Sequence, residues 1–478
     1  MLAELSELMA AAASRCEYAD ARHVVTTTER VVVRNGRVAR VAAIEEAGVG
    51  VRVRAGGGWG FAATADAARP ALESTLERAL GVAAASPEGP AGPLAPSPPA
   101  AGDWTGPCER DPFAVGVEEK LELLLAADAA LRTDARIART GADCVSRRTV
   151  KAFASTEGGA CTQTLTHCGA ALFAVAVDEA ELQTRSYPAQ HGGGLRAAGW
   201  EYVDGLDLVE HAPRVAEEAV ALLTAPACPA GRATVVLAGE QVALQVHESV
   251  AHALELDRML GAEASYAGTS WVRPADLGVL RYGSEAMHVT ADATLRGGLG
   301  SFGWDDEGVA ARAYPLVESG VVLAALSDRG SAAAIGLEAS GGCSRADGHA
   351  RQPIVRMTNV SLLPGDAGSP DDLIAATEAG LYLETNRSWS IDDRRLHFQF
   401  ACELGREIRG GELGRLLRNP SYAGTTPRFW GSLDAVASAP AWELHGLSNC
   451  GKGEPGQLMT VSHGAAPARF RDVEVGVA

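Results

Sequence analysis

Residues 231–257 read GRATVVLAGEQVALQVHESVAHALELD, and the character of the chain changes at Gly231. The apolar run 233–239 predicts a strand, and the apolar segment after it, which carries two histidines, predicts a helix. Beyond this stretch, most of the chain consists of short strand-like runs separated by glycine-rich turns. The stretch therefore divides the chain in two, and we expect a domain boundary near residues 225–230.

The part before Gly231 mixes helices and strands. Leu2, Leu5 and Leu8 recur at helical spacing, whereas Asn35-Gly36 predicts a hairpin turn between two strand-like runs. The expected elements are strands over 24–33, 38–44, 137–147, 151–155 and 159–178, and helices over 68–85, 115–132 and 206–223. Residues 86–107 are rich in Pro, Gly, Ala and Ser and predict an exposed loop. We expect an α+β fold, with an N-terminal α+β domain over 1–227 and a β-rich C-terminal domain over 228–478.

Length and charge restrict the class of protein. A chain of 478 residues favours two domains, and its formal net charge of −18 disfavours general binding to nucleic acid or to an anionic membrane surface. No apolar run approaches the ~18–20 residues of a membrane span, and Glu4 and Glu7 interrupt the apolar N-terminus, so a signal peptide is not expected. The nine cysteines form no CxxC pair, which disfavours a disulfide framework. We expect a cytoplasmic protein with no membrane and no nucleic-acid partner.

The segment 245–257 contains His247, Glu248 and His252, the residue types of a hydrolytic zinc site. Two neutral imidazoles can bind the metal, and the carboxylate can accept a proton from water. Histidines five residues apart, however, lie about 140° apart on a regular helix. They can share a metal only where the helix ends or widens, for example at a π-bulge. The segment alone leaves two interpretations open: a metal site, or two unrelated histidines on a buried helix.

A catalytic zinc site needs a third protein ligand. Cys450 lies in the glycine-rich segment LSNCGKGEPGQ beside Lys452, where a thiolate would be stabilised. A free cysteine in a loop is the alternative interpretation, and the segment alone does not decide between the two.

The segment QVHESVAHALELD resembles the HExxxH motif of the TldD branch of the TldD/PmbA (TldD/TldE) peptidase family, and CGKGEPGQ resembles that family's C-terminal segment. Further similar segments follow in order along both halves: GVGVRVRAGGGWGFAATAD, YPAQHGGG, FGWDDEGVAARAYPLVESGVV, QPIVRMTNVSLLPGD and NPSYAGTTPRFWGSLD. The resemblance implies a zinc metallopeptidase with one Zn²⁺ per chain, held in the C-terminal domain. It makes His247, His252 and Cys450 the metal ligands and Glu248 the general base.

The same resemblance implies a partner and a kind of substrate. Family members form dimers, so we expect a heterodimer with a TldE/PmbA-type subunit or a homodimer. The substrates would be small or unfolded peptides, with trimming of the leader of a modified peptide natural product as one such reaction. The alternative is a non-catalytic TldE-like subunit that binds peptide, but such subunits lack the His/Glu/His set that this chain carries.

Other polar residues are candidates for lesser roles. Glu255 and Asp257 are either acceptors for the imidazole N–H groups or ordinary acids at a helix end. The sequence GLGSFG at 298–303 matches GxGxxG, but the residues after it predict a turn and not a helix, so we reject a dinucleotide site. The acids 305–307 are expected in a solvated turn. Candidate substrate-binding residues are His191, Arg356, Asn359, His445 and His463.

Overall fold

A computed structural model describes residues 1–86, 94–190 and 194–477. About 22% of the chain is helix and 43% is strand, so the fold is α+β with a β-rich C-terminal region. The helices are α1 (Leu2–Ala12), α2 (Arg69–Ala85), α3 (Val117–Ala130), α4 (Glu201–Asp204), α5 (Leu208–Thr224), α6 (Gly239–Val246), a π-helical turn (His247–Ala251), α7 (Leu256–Met259), α8 (Arg329–Ala334), α9 (Pro370–Ala375) and α10 (Thr426–Gly431), with 3₁₀ turns at Pro274–Asp276 and Ala439–Ala441.

The strands are β1 (Tyr18–Arg34), β2 (Arg37–Ala55), β3 (Gly58–Thr64), β4 (Ala101–Thr105), β5 (Ile137–Ser155), β6 (Ala160–Val177), β7 (Leu182–Tyr187), β8 (Leu195–Arg196), β9 (Gly231–Leu237), β10 (Val289–Asp292), β11 (Ala313–Glu318), β12 (Val321–Val322), β13 (Ser344–Arg345), β14 (Ile354–Val355), β15 (Val360–Leu362), β16 (Ala379–Ile391), β17 (His397–Arg409), β18 (Glu412–Leu417), β19 (Pro420–Thr425), β20 (Leu433–Val436), β21 (Glu443–Lys452), β22 (Gln457–Ala465) and β23 (Ala468–Val477).

The N-terminal part is built on one eight-stranded sheet of order β3-β2-β1-β5-β6-β4, with β7 and β8 pairing to β6. The predicted hairpin turn is confirmed, because Asn35 and Gly36 join β1 to β2 with positive φ angles of 48° and 71°. Helices α1 and α2 bury leucines such as Leu5 and Leu72 in one core of this sheet, and α3 and α5 form a second core with β1, β5 and β6. The boundary proposed near residues 225–230 lies between α5 and β9.

The C-terminal part contains a seven-stranded sheet of order β16-β9-β23-β19-β17-β18, with β20 on β23. A four-stranded sheet, β12-β11-β10-β15, and the pairs β13–β14 and β21–β22 surround it. One large core joins these layers, and it includes Val246, Val250 and Cys450. The predicted metal segment therefore lies within this hydrophobic core.

Three local predictions are wrong. The two strands expected over 137–155 form the single strand β5, and the loop expected over 86–107 contains β4, which pairs in parallel with β6. Residues 87–93 of that loop lie outside the described residues. The acids at 305–307 are not solvated, since each is 3–4% exposed.

The buried acids join the two parts of the chain. Lys151 of β5 lies 2.9 Å from Asp306, and Arg52 of β2 lies 2.8 Å from Glu307. An unpaired charge is costly to bury. The ion pairs with cations of the N-terminal sheet therefore explain why this acidic turn is buried. As expected for the GxGxxG match, Trp304 follows it in a β-bridge with Ala310 and not in a helix. No helix within the described ranges is both long and apolar enough to cross a membrane.

Candidate metal centre

The two histidines of the predicted motif are brought together by a widened helical turn. The residues His247–Ala251 form a π-helix, in which the His252 N–H donates to the His247 carbonyl, five residues earlier, at 3.2 Å. The wider turn removes most of the angular separation that a regular α-helix would impose, and the two ring centroids lie 4.7 Å apart. The expectation that the helix ends or widens between the histidines is confirmed, and the observed form is the widened turn.

Cys450 completes a group of three possible metal ligands. One ligand atom from each of His247, His252 and Cys450 lies within 4.8 Å of the others, and Cys450 Sγ is 3.7 Å from His252 Nε2. All three side chains are buried. Two imidazoles and one thiolate are the donor types that suit a zinc ion with one coordination position left for water or substrate. The residues present therefore fit a catalytic metal of this kind.

The position of Cys450 differs from the expectation. It lies on β21 and not in a loop, and it pairs with Met459 of β22. The register of this pair shifts between Leu447 and Cys450, which marks a bulge beside the site. A bulge re-aims a strand side chain, and here the thiol meets the helical histidines.

The thiol of Cys450 is electrostatically prepared for metal binding. Burial by itself raises the pKa of this thiol, but the Arg356 guanidinium and His252 outweigh burial, so the net shift of the pKa is downward. Burial lowers the pKa of both His247 and His252, which favours the neutral imidazole. Neutral imidazole and thiolate are the forms that bind a metal ion.

The Nδ1 atoms of His247 and His252 both have buried partners. His247 Nδ1 lies 2.7 Å from His463 Nε2, and His252 Nδ1 lies 3.1 Å from Glu255 Oε2. The interpretation of Glu255 as an acceptor for imidazole N–H is thus confirmed. Asp257 instead binds the Lys452 ammonium at 2.7 Å. Such outer contacts hold a ligand ring in one orientation and raise its basicity.

Two carboxylates share Lys452, and the structure shifts their pKa values in opposite directions. Burial opposes ionisation of Glu255, but Lys452, 3.3 Å away, and His252 together hold its pKa well below the usual range. Asp257 has a pKa raised to about 6, because burial and the Glu255 charge outweigh the attraction of Lys452. Glu255 is therefore the ionised partner of His252.

Glu248 lines a pocket of about 340 Å³ together with the three possible ligands, His247, His252 and Cys450. The other lining residues are Trp389, Ser390, Ile391, Arg395, Leu447, Asn449 and Gly451. They come from the end of β16, from the turn after it and from β21, so two strand segments border the pocket. Glu248 Oε2 accepts a hydrogen bond from Arg395 Nη1 at 2.8 Å. A carboxylate beside a metal-ligand set, open to a cavity, can act as a general base.

Arg395 is the residue of this site that sequence reasoning missed. It lies 147 positions from Glu248, and no spacing or motif links the two. Only the hairpin between β16 and β17 carries the guanidinium to the helical motif.

Most of the predicted substrate-binding residues lie elsewhere. Arg356 is 0% exposed and donates to the carbonyl oxygens of Cys450 and Gln457, so it supports β21 and does not face the pocket. Asn359 is also 0% exposed and binds main-chain groups of Gly300 and Asp292. Neither residue lines the pocket, and their predicted substrate contact stays a prediction.

The predicted histidines of this set fall in three places. His463 is 0% exposed, contacts His247 and does not line the pocket, a position from which it can orient the His247 ring. His445 lines a separate small cavity with Glu240 and Asn386. His191 lies outside the described residues. His445 and His463 are strand residues that pair with each other across β21 and β22, and are not in loops.

A larger cavity of about 660 Å³ lies against the N-terminal sheet, where Arg34, His167 and Phe173 line it. It shares no lining residue with the metal pocket and reaches β21 only through Ser448. Within the described ranges, the sole cluster of three possible metal-ligating side chains is that of His247, His252 and Cys450. The smaller cavity is therefore the candidate metal centre.

A buried His/His/Cys set beside a carboxylate, inside an α+β framework, is compatible with a zinc hydrolase. Three family models match the chain: PmbA/TldA metallopeptidase domain 1 over residues 19–83, the central domain over 110–225 and the C-terminal domain over 230–477. The chain belongs to the PmbA/TldD metallopeptidase family.

Individual relatives agree with this assignment. A metalloprotease of Methanothermobacter thermautotrophicus is 32% identical over 462 residues, which cover 97% of this chain and 96% of the relative. A zinc metalloprotease TldD homolog of Saccharolobus solfataricus is 25% identical over 252 residues, or 52% of each chain. The crystal structure of TldE from Thermococcus kodakarensis has the same fold, with a TM-score of 0.76 at 14% identity over 99% of this chain and 100% of that one.

Proposed function

We propose that the chain is a zinc-dependent peptidase whose metal is held by His247, His252 and Cys450 and whose general base is Glu248. The convergence of three buried ligand atoms within 4.8 Å, beside a carboxylate that lines the same pocket, carries this proposal. The name of the Saccharolobus solfataricus relative supports zinc as the metal. When bound, the zinc would polarise the scissile carbonyl and lower the pKa of a water molecule.

The residues of the chain supply the remaining steps. Glu248 accepts a proton from the attacking water, whose oxygen adds to the carbonyl carbon of the peptide bond. The same carboxyl group then returns the proton to the departing amine as the C–N bond breaks. His463 and Glu255 keep the two ligand rings in place through their hydrogen bonds to the Nδ1 atoms. One water is consumed, and a carboxylate and an amine are released.

The shape of the site favours an extended peptide as substrate. Main-chain segments of β16 and β21 border the pocket, and exposed strand edges can bind an extended chain through its backbone. Such binding recognises the main chain of the substrate more than its side chains. This mode of recognition suits small or unfolded peptides, including the leader of a modified peptide product. We further propose that the chain works as a dimer, with a TldE/PmbA-type subunit or with a second copy of itself.

The test compares the parent with Glu248→Gln and with Glu318→Gln, an exposed glutamate on β11. Purified parent should contain about one zinc per chain and cleave unstructured peptides, alone or with a TldE-type subunit. Glu248→Gln should keep the zinc and lose hydrolysis by several orders of magnitude, since no proton acceptor remains. Glu318→Gln should match the parent. Cleavage by Glu248→Gln at the parental rate would exclude the proposed base, and a metal-free parent that cleaves equally well would exclude the zinc mechanism.

A further inference from the structure

The turn between β16 and β17 contains an arginine in a conformation that usually belongs to glycine. Arg395 has φ of 61°, in the left-handed region, where an L-residue with a side chain is strained. The turn is nevertheless well fixed: the Arg395 N–H donates to the Asp392 carbonyl at 2.9 Å, and Thr426 Oγ1 donates to the Arg395 carbonyl at 2.8 Å. A strained residue that its surroundings hold in place is typical of functional sites.

Neighbouring chain segments hold the same turn from outside. The main-chain N–H groups of Thr269 and Trp271 donate to the carbonyls of Asp393 and Arg394, each at 2.8 Å. These contacts leave the Arg395 side chain directed into the metal pocket, where it is a lining residue. The strained turn therefore places a guanidinium beside the proposed base, Glu248.

The guanidinium has more donors than its contacts use. Nη1 donates to Glu248 Oε2 at 2.8 Å, while Nε is buried and has no hydrogen-bond partner among the described residues. Arginine carries five N–H donors in a rigid fork, so one edge can hold a carboxylate while other donors bind a second oxygen.

The position of the guanidinium suits a role in the reaction. Arg395 lines the pocket that also contains Glu248, His247 and Cys450, and its Nη1 donates to Glu248. A cation in this position stabilises negative charge that develops on a carbonyl oxygen in the pocket. The strained turn, which directs this side chain into the pocket, is explained if the guanidinium binds the substrate.

We propose that Arg395 is a catalytic residue, which donates a hydrogen bond to the oxygen of the scissile carbonyl as negative charge develops there. Nη1 meanwhile keeps Glu248 directed at the attacking water. The proposal rests on the peptidase function proposed above, and it adds an oxyanion donor that the zinc-ligand motif does not contain.

The experiment uses Arg395→Lys and Arg395→Gly, with Arg394→Gln as the matched control, because Arg394 is the exposed neighbour in the same turn. All variants are checked for zinc content and thermal unfolding. We expect parental zinc content and a fall in kcat of about 10²–10³-fold in Arg395→Gly, with KM changed much less, since an oxyanion donor acts in the transition state. Arg395→Lys should recover part of the loss, and Arg394→Gln should match the parent.

A second measurement separates a catalytic from a structural role. A phosphinic peptide, which mimics the tetrahedral transition state, should bind Arg395→Gly more weakly by nearly the same factor as kcat/KM falls. Parental kcat in Arg395→Gly, or a loss confined to KM with inhibitor affinity intact, would overturn the role of Arg395 while leaving the peptidase function in place. A parent without zinc-dependent cleavage would overturn both, and Glu248→Gln distinguishes the two failures.

Discussion

His247 Nδ1 lies 2.7 Å from His463 Nε2, and His463 Nδ1 lies 2.6 Å from the Val360 carbonyl. A carbonyl only accepts, so His463 carries its proton on Nδ1, and burial keeps this ring neutral by holding its pKa well below the usual value. His463 Nε2 is then an acceptor, and His247 must donate from Nδ1. The chain of two hydrogen bonds leaves the lone pair of His247 Nε2 for the metal.

Replacement of His463 by leucine should weaken zinc binding without removing a ligand. The His247 ring would lose the acceptor that fixes its tautomer, and loss of such a partner typically weakens metal affinity about 10–100-fold. Competition with a chelator measures this affinity. The control is His445→Leu, since His445 pairs with His463 in the strand ladder but lines a different cavity. Equal zinc affinity in the two variants would refute the orienting role.

Cys450→Ser should lose most of its zinc. The hydroxyl of serine does not ionise near neutral pH, whereas the thiol has a lowered pKa and can supply a thiolate. We expect an affinity weaker by roughly 100-fold or more, measured by chelator competition, and a matching loss of peptide cleavage at limiting zinc. The control is Cys343→Ser, a buried cysteine outside the metal cluster. Zinc bound by Cys450→Ser at parental affinity would show that Cys450 is not a ligand.

Lys452→Met should destabilise the fold as well as the site. The Lys452 ammonium is fully buried and contacts Asp257, Glu255 and the Val355 carbonyl at 2.7, 3.3 and 2.8 Å. Removal of one partner from a buried charge cluster costs about 3–5 kcal/mol, because the remaining carboxylates lose their compensation. Denaturant unfolding measures the free energy. Arg415→Met, which breaks an exposed pair with Glu407, is the control and should change stability little. A loss no larger than that of the control would contradict the prediction.

Glu403 should make stability depend on pH. Burial raises the pKa of Glu403 to about 7, although Arg185, Gln190 and Ser186 oppose this change. Because the folded pKa lies above the ordinary 4.5, folding favours the protonated form, and this contribution is full below pH 4.5 and is lost as the pH rises through 7. A tenfold change in the protonation equilibrium corresponds to about 1.4 kcal/mol, so the stability lost between pH 5 and pH 7.5 is on the order of 2 kcal/mol.

The measurement is denaturant unfolding at pH 5 and pH 7.5 for the parent and Glu403→Gln. Glutamine imitates the protonated acid, so the variant should lose less stability than the parent over this interval. Glu412→Gln, on the exposed strand β18, should keep the parental pH dependence. Identical pH dependence in all three proteins would show that Glu403 is ionised throughout.

Local patterns predicted much of the fold, whereas the proposed ligand set came from the family resemblance. The spacing of Leu2, Leu5 and Leu8, and the Asn35-Gly36 turn, depend on near neighbours in the chain and were confirmed. Strand lengths were harder to predict from the sequence. For example, β5 continues through polar residues that only its pairing with β1 and β6 stabilises. The burial of Asp306 and Glu307 depends on cations more than 150 positions away, and no local pattern contains that information.

The sequence by itself determined the chemical types at the site: two histidines five apart, an adjoining glutamate and a cysteine in a segment similar to that of the family. It also required that the helix end or widen if the histidines were to share a metal, since about 3.6 residues per turn would separate them. Only the tertiary structure decided which partners complete the site. His463 behind His247, Lys452 beside Glu255 and Arg395 on Glu248 come from distant strands and a strained turn. Hydrogen bonds and charges act over a few ångströms in space, and the packing of the sheets sets those distances, not the separation along the chain.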